Sequence, residues 1–318
     1  MRFQIIPGEG QQSYTLTDST NGTTAEILTF GALLNRFAIP VKGGQLINVV
    51  DGFKDPADAR ASITNGFHSA KLSPFVCRLH LGQYSFEGKD YKIDKHYMKD
   101  SAIHGLVFDA VFKVSATHVD DHKATLALVY EYRDNSQGFP FAFDIEVIYK
   151  LSADNDLQVT THVTNAGTGN MPLNDGWHPY FKLGASINTA AVRFDAKELV
   201  EFDEALLPNG KTSLYNSFNM FKVFGDTELD NCFTLNQPSY EGALPAFEIK
   251  DESLGLSLGI FPDEAYPYLQ IYTPPSRESI AVENLSSIPD SFNNKTGLII
   301  LASGESKTFT TTYKLALI

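Results

Sequence analysis

Cysteine is scarce in this sequence: the 318 residues include two, Cys77 and Cys232. They lie far apart and lack metal-ligand spacing, and a chain of this length needs no covalent staple, so two free, partly buried thiols are expected. Basic residues are also in short supply. Lys and Arg total 25 against 38 Asp and Glu, a formal charge of −13. That argues against a nucleic-acid partner, which wants clustered cations along its phosphates, and against an anionic membrane surface. No run approaches the ~20 apolar residues of a membrane-spanning helix. The opening MRFQIIPGEGQQ carries one Arg and no long apolar stretch, unlike a secretory signal. The expected setting is the cytoplasm, without membrane contact. Several chemical signatures are missing as well. No Gly-rich loop opens a helix to cradle phosphates, and no closely spaced His/Glu or Cys/Cys grouping suggests a metal. No Gly-x-Ser-x-Gly elbow presents a nucleophile. No cofactor is expected.

What is abundant is aromatic: 23 Phe and 14 Tyr, although Trp177 is the only tryptophan. Phe and Tyr suit half-buried strands. KATLALVYEYR (123–133) places Leu126, Leu128, Tyr130 and Tyr132 on one face; FDIEVIYKL (143–151) and DLQVTTHVTN (156–165) follow. Turn formers punctuate them: Asp134-Asn135-Ser136-Gln137-Gly138, Asp154-Asn155-Asp156 and Asn165-Ala166-Gly167. Two-residue alternation interrupted every ten or so residues predicts an antiparallel β protein. TAEILTFGALLNRFAIPV near the start and ESKTFTTTYKLAL at the end fit the same pattern. Helix is expected only in DPADARAS (55–62), behind Asp55. With no repeat or linker, the expectation is one domain over residues 1–318, an all-β, large antiparallel sandwich of two packed sheets, with a wide barrel as the other arrangement.

Three segments set a titratable residue at or near the edge of an apolar stretch: SAIHGLVFDAVF with His104, NDGWHPYFKLG with His178, and IAVENLSSIPDSFNN with Glu283. Strand ends and loops at the mouth of a β scaffold commonly hold sites. His178 stands among Trp177, Pro179, Tyr180 and Phe181. It reads equally as a core histidine bonded to a backbone carbonyl or as a catalytic group. His104 precedes Gly105, which permits close approach of backbone or ligand; alone, it reads better as a turn histidine. Glu283 ends an apolar run, and a buried carboxylate needs a partner, whether a site or a structural cation. His96, His118, His122 and His162 lie in polar stretches and are expected to be solvated. His68 and His80 stay ambiguous.

Taken in order, these segments resemble the aldose 1-epimerase (galactose mutarotase) family, from about Phe30 to Leu315. The resemblance rests on an Arg-bearing strand before a hairpin (VCRLHLGQYSFEGKDYKI), a His-Gly turn (AIHG) and a Gly-Phe-Pro segment running into a Tyr-x-Leu strand (QGFPFAFDIEVIYKL). It continues with a Thr-Asn strand before His-x-Tyr-Phe-x-Leu (VTTHVTNAGTGNMPLNDGWHPYFKLG), then a Leu-Asp turn (LDNCF). Last comes a Tyr-Thr strand leading to a strand-borne glutamate (LQIYTPPSRESIAVENLSSIPDSFNN). The resemblance implies a galactose mutarotase-like supersandwich. It implies Glu283 as base, His178 as acid and His104 as a second donor to the ring oxygen. Arg78, Asp230, Trp177 and Tyr272 would meet the sugar, with Trp177 or a neighbouring aromatic covering one of its faces. There are departures: Leu106 follows Gly105 where the family has a second glycine, and Cys77 stands where an asparagine would contact sugar.

The implied reaction interconverts α and β anomers. The C1 hydroxyl loses a proton while the ring oxygen gains one, the ring opens, C1–C2 rotates and the ring recloses. A base and an acid on opposite sides of the sugar would serve this, each contributing ~10²–10⁴-fold. Two other readings remain: a hexose-6-phosphate mutarotase, with Lys71, Arg78 and Arg277 as candidate phosphate ligands, and a non-catalytic sugar sensor. A carbohydrate lyase or glycosidase on a similar sandwich is a third. The expected partner is a small sugar, and the expected assembly a monomer or homodimer.

Overall fold

The structure, a computed structural model, describes residues 1–133, 138–236 and 244–318. Four of the expected turn residues, Asp134 to Gln137, lie outside the described residues. The chain folds into antiparallel sheets of nine, eight and five strands with smaller ribbons beside them. The meander read from the sequence forms one side of the largest sheet. Lys123–Tyr132 pairs with Phe143–Ser152, and that strand with Asp156–Asn165. Phe143–Ser152 alternates buried and half-buried at every residue, as a strand with one face on the core must. The C-terminal strand Ser306–Leu317 then inserts between Asp156–Asn165 and Leu256–Pro262.

The eight-stranded sheet carries the site. Its order is Pro208–Leu214, Ala196–Phe202, Asp230–Leu235, Tyr268–Tyr272, Ile280–Leu285, Gly176–His178, Ala70–Leu72, with Tyr180–Phe181 also on Ile280–Leu285. It meets the large sheet face to face. Asn284 Nδ2 donates to Thr311 Oγ1 at 3.0 Å, with both residues fully buried, and the Phe181 and Tyr313 rings stand 5.4 Å apart. This is the expected all-β sandwich. One apolar cluster runs through it, from Phe3 to Leu315.

The expected helix is Pro56–Ser62: Asp55 Oδ1 accepts from Ala57 and Asp58 N–H, each at 2.9 Å, and Pro56 occupies the first turn. Among the described residues one further short α-helix, Ser291–Asn294, lies outside that expectation; it follows Asp290 and has no apolar periodicity to announce it. No helix among the described residues is long and apolar enough to cross a membrane.

Candidate active site

Strand register places most of the site. Gln270 lies opposite both Cys232 and Glu283, and Tyr272 opposite both Asp230 and Ala281. On the far side of Ile280–Leu285, Gly176 faces Leu285 and Tyr180 faces Ala281, so the same register carries His178 to Glu283. Side chains two apart share a face. Asp230, Gln270, Tyr272, Glu283, His178 and Tyr180 therefore line one cleft of about 350 Å³, a size suited to a small molecule. The opposite faces of the same strands supply the core. That is why every residue of Ile280–Leu285 is buried although one of its faces floors a cleft.

Loops complete the wall. Arg78 and Ile103 pair across a short ribbon. His104 follows with a left-handed φ of 62° and donates its backbone N–H to Cys77 O at 2.9 Å. Gly105 is required there: a Cβ on it would come 2.3 Å from Ser73 O, and its φ is +76°. Asp290 clamps the strand that bears Arg78. Its N–H donates to Arg78 O at 2.7 Å, and its Oδ1 accepts from His80 N–H at 2.9 Å.

At the centre, His178 Nε2 lies 3.3 Å from Glu283 Oε1, with both side chains buried. The His104 ring stands edge-on to His178 at 4.9 Å and packs on Phe67 at 4.6 Å. Tyr180 stacks on His178 at 5.1 Å and on His68 at 4.1 Å. Gln270 Nε2 donates to Asp230 Oδ1 at 2.9 Å, and Arg78 Nη2 reaches Met98 Sδ at 3.7 Å.

Desolvation dominates the electrostatics, because burial disfavours the charged form of any group. Burial lifts Glu283 well above the ordinary value of 4.5, and Asp230 adds to the rise. Burial lowers His178 from 6.5 to about 3; its own backbone opposes the drop, and His68 adds to it. His104 is lowered well below 6.5 by burial and then by His178, Arg78 and His96. Asp230 is raised by its enclosing walls, with Arg78 and Gln270 acting against the rise. The His178–Glu283 pair thus favours its neutral form, with one transferable proton held between the two groups. The expectation that acid and base stand on opposite sides of a ligand does not match this arrangement. They are neighbours on adjacent strands, set side by side by the register.

Of the residues expected at the site, His104, His178, Glu283, Arg78, Asp230 and Tyr272 all line the cleft. Trp177 does not. Alternation turns it to the other face, where it is buried with the Lys71 ammonium 4.4 Å from its ring and Tyr149 at 6.4 Å. Tyr180, Tyr272 and Phe202 are aromatics of the sheet that line the cleft. Two of the three candidate phosphate ligands are also placed elsewhere. Lys71 is fully buried, bonded to Asp175 and to Gly176 O. Arg277 spends its guanidinium on Asn188 Oδ1 and the Thr227 and Gly225 carbonyls, at 2.8, 2.8 and 2.9 Å. Of those three, only Arg78 lines the cleft. His118 and His122 are exposed as expected, whereas His96 is half-buried and packs on Phe67 at 5.3 Å. Gln270 was missed. The available signal was its position two residues before Tyr272, on the same face of a strand already assigned to the site.

The aldose 1-epimerase family model matches residues 12–314. The uncharacterized protein YihR of Escherichia coli is 27% identical over 245 residues, 74% of each chain. An aldose 1-epimerase of Streptococcus thermophilus is 22% identical over 330 aligned positions, covering 93% of this chain and 92% of the relative. Among solved structures, a galactose mutarotase-like protein from Clostridium acetobutylicum superposes with a TM-score of 0.86 at 19% identity, covering 99% of this chain and 98% of its own. With a match this long and a cleft assembled from the segments that carry the resemblance, the chain belongs to the aldose 1-epimerase family.

Proposed function

We propose that this protein is a mutarotase for a free aldose of the galactose or glucose type, with Glu283 as base and His178 as acid. The observation that carries the reading is the buried His178–Glu283 contact of 3.3 Å at the floor of the cleft. O1 and the ring oxygen are both bonded to C1, so a single sugar placed over this pair brings both oxygens to it. An acid and base set side by side suit that geminal arrangement. Moving the shared proton from Glu283 to His178 yields a carboxylate to take the O1 proton and an imidazolium to protonate the ring oxygen, without exchange with solvent. The roles reverse on reclosure. His104 would hydrogen-bond the ring oxygen as charge changes there. Asp230 and Gln270 accept and donate to hydroxyls, and Arg78 donates. Among the described residues Arg78 is the one Lys or Arg lining the cleft, with Lys71 and Arg277 occupied elsewhere, which favours an uncharged sugar over a phosphorylated one.

The test is polarimetry on freshly dissolved α-D-galactose and α-D-glucose at low buffer concentration. The protein should speed the approach to anomeric equilibrium, and Glu283→Gln should lose at least ~10²-fold of that acceleration. A folded Glu283→Gln variant with near-normal rates would remove Glu283 as the base. No acceleration of either sugar would overturn the assigned substrate class.

A further inference from the structure

His104, His178 and Glu283 also have the makings of a metal site. Each offers one ligand atom, and the three atoms lie within 4.8 Å of one another. We propose that this cluster binds one divalent transition ion of the zinc type, in competition with sugar. Two imidazoles and one carboxylate form a donor set used by open zinc sites, which keep a fourth position for water or substrate; two histidines and a carboxylate likewise hold iron in non-haem sites. A tetrahedral ion with bonds of ~2.0–2.1 Å holds its ligand atoms roughly 3.3–3.4 Å apart. His178 Nε2 and Glu283 Oε1 are already at 3.3 Å, so only His104 must draw in.

Three polar atoms in the cluster, His104 Nδ1, His178 Nδ1 and Glu283 Oε2, are buried without a hydrogen-bond partner. Buried orphans of this kind are uncommon in folded proteins and often mark a place where a ligand completes the set. The three residues come from three separate elements: a loop turn, Gly176–His178 and Ile280–Leu285. That explains why sequence spacing gave no metal signature. The three residues line the same cleft as Asp230 and Gln270, which leaves room for a water or substrate ligand beside them. An ion seated there would occupy the acid and base that the proposed mutarotation needs. The competition therefore rests on that functional reading, whereas the binding does not.

The experiment uses chelator-stripped full-length protein titrated with Co²⁺, followed by visible d–d absorption, then with Zn²⁺ by calorimetry and by displacement of the Co²⁺ signal. One saturable site per chain is expected. Either His104→Ala or Glu283→Gln, each checked for fold by circular dichroism, should weaken binding at least ~10-fold, and His178→Asn serves if either misfolds. Zn²⁺ should abolish the acceleration of mutarotation, with recovery on adding EDTA, and galactose should raise the apparent Kd for Zn²⁺. Absence of a saturable Co²⁺ signal overturns the site, as does binding that all folded variants retain, since the ion would then sit elsewhere. Saturable binding that the variants weaken, in a protein that accelerates no sugar, would keep the site and remove the mutarotase reading.

Discussion

At the scale of single residues, the consequence of burial is a shifted pH profile. The working state of the His178–Glu283 pair contains one proton. Adding a second places a charge on His178, which burial resists down to about pH 3. The acid limb of kcat/KM should therefore lie near pH 3, far below the ordinary histidine value of 6.5. Removing the shared proton ionises Glu283 while leaving His178 neutral; that step is delayed well above 4.5, so the alkaline limb follows the raised carboxyl. Polarimetric rates across pH, corrected for the spontaneous reaction, test this, and an acid limb near 6.5 would show that His178 titrates as a solvated imidazole. The residues themselves were partly legible. His178 and Glu283 sat at conspicuous places in the sequence, and their order among the other segments matched a family. Trp177, which the resemblance assigns to the sugar, faces the core instead, because neighbours in a strand point to opposite faces. Gln270 shares its strand face with Tyr272, but its partners Cys232 and Glu283 are set by strand pairing and not by nearness in sequence.

At the scale of elements, the site strand is tied down from behind. Lys71 on Ala70–Leu72 bonds to Asp175, which also accepts from Tyr266 Oη at 2.6 Å and donates its N–H to Ser286 Oγ at 2.8 Å. Ser286 N–H returns a bond to Asp175 O at 2.9 Å. These contacts join Ala70–Leu72, the approach to His178 and the end of the Glu283 strand. Burial lowers Lys71 to about 8, against the pull of Asp175, and raises Asp175 in turn. A pair of this kind contributes little relative to apolar replacements, but removing one partner strands the other charge at a cost of ~3–5 kcal/mol. Lys71→Ala should therefore lower unfolding free energy by about that amount in urea titrations. Lys71→Met with Asp175→Leu should recover part of it, whereas a loss under ~1 kcal/mol for Lys71→Ala would show the pair to be solvated in solution. The strands of residues 123–165 were readable because each keeps one face on the core. The short strand holding Lys71 was not: it is three residues long, buried throughout, and its cation finds its partner 104 residues away.

At the scale of the whole molecule, the sandwich is closed by its last strand. Alternation in ESKTFTTTYKLAL announces a strand but cannot say which neighbours it joins. It takes the gap between Asp156–Asn165 and Leu256–Pro262, pairing with the first through residues 306–314 and with the second through residues 311–317. It also sends Phe309, Tyr313 and Leu315 into the core at 0–2% exposure, and Thr311 to Asn284 beside Glu283. Burying three such side chains contributes ~1.5–3 kcal/mol each, so roughly 5–9 kcal/mol depends on this strand before its two ladders are counted. A typical domain has ~5–15 kcal/mol in all. Deleting residues 306–318 should therefore abolish cooperative unfolding and leave two open ladder edges prone to intermolecular pairing. Deleting Ile318 alone should be nearly neutral, since it is 59% exposed and adds one backbone bond to Gly255. Circular dichroism with thermal melts, and size-exclusion chromatography of both variants, would distinguish the two. A soluble, cooperatively melting 306–318 deletion would mean that the two halves of the large sheet close on each other, and that the C-terminal strand only overlays a core already complete.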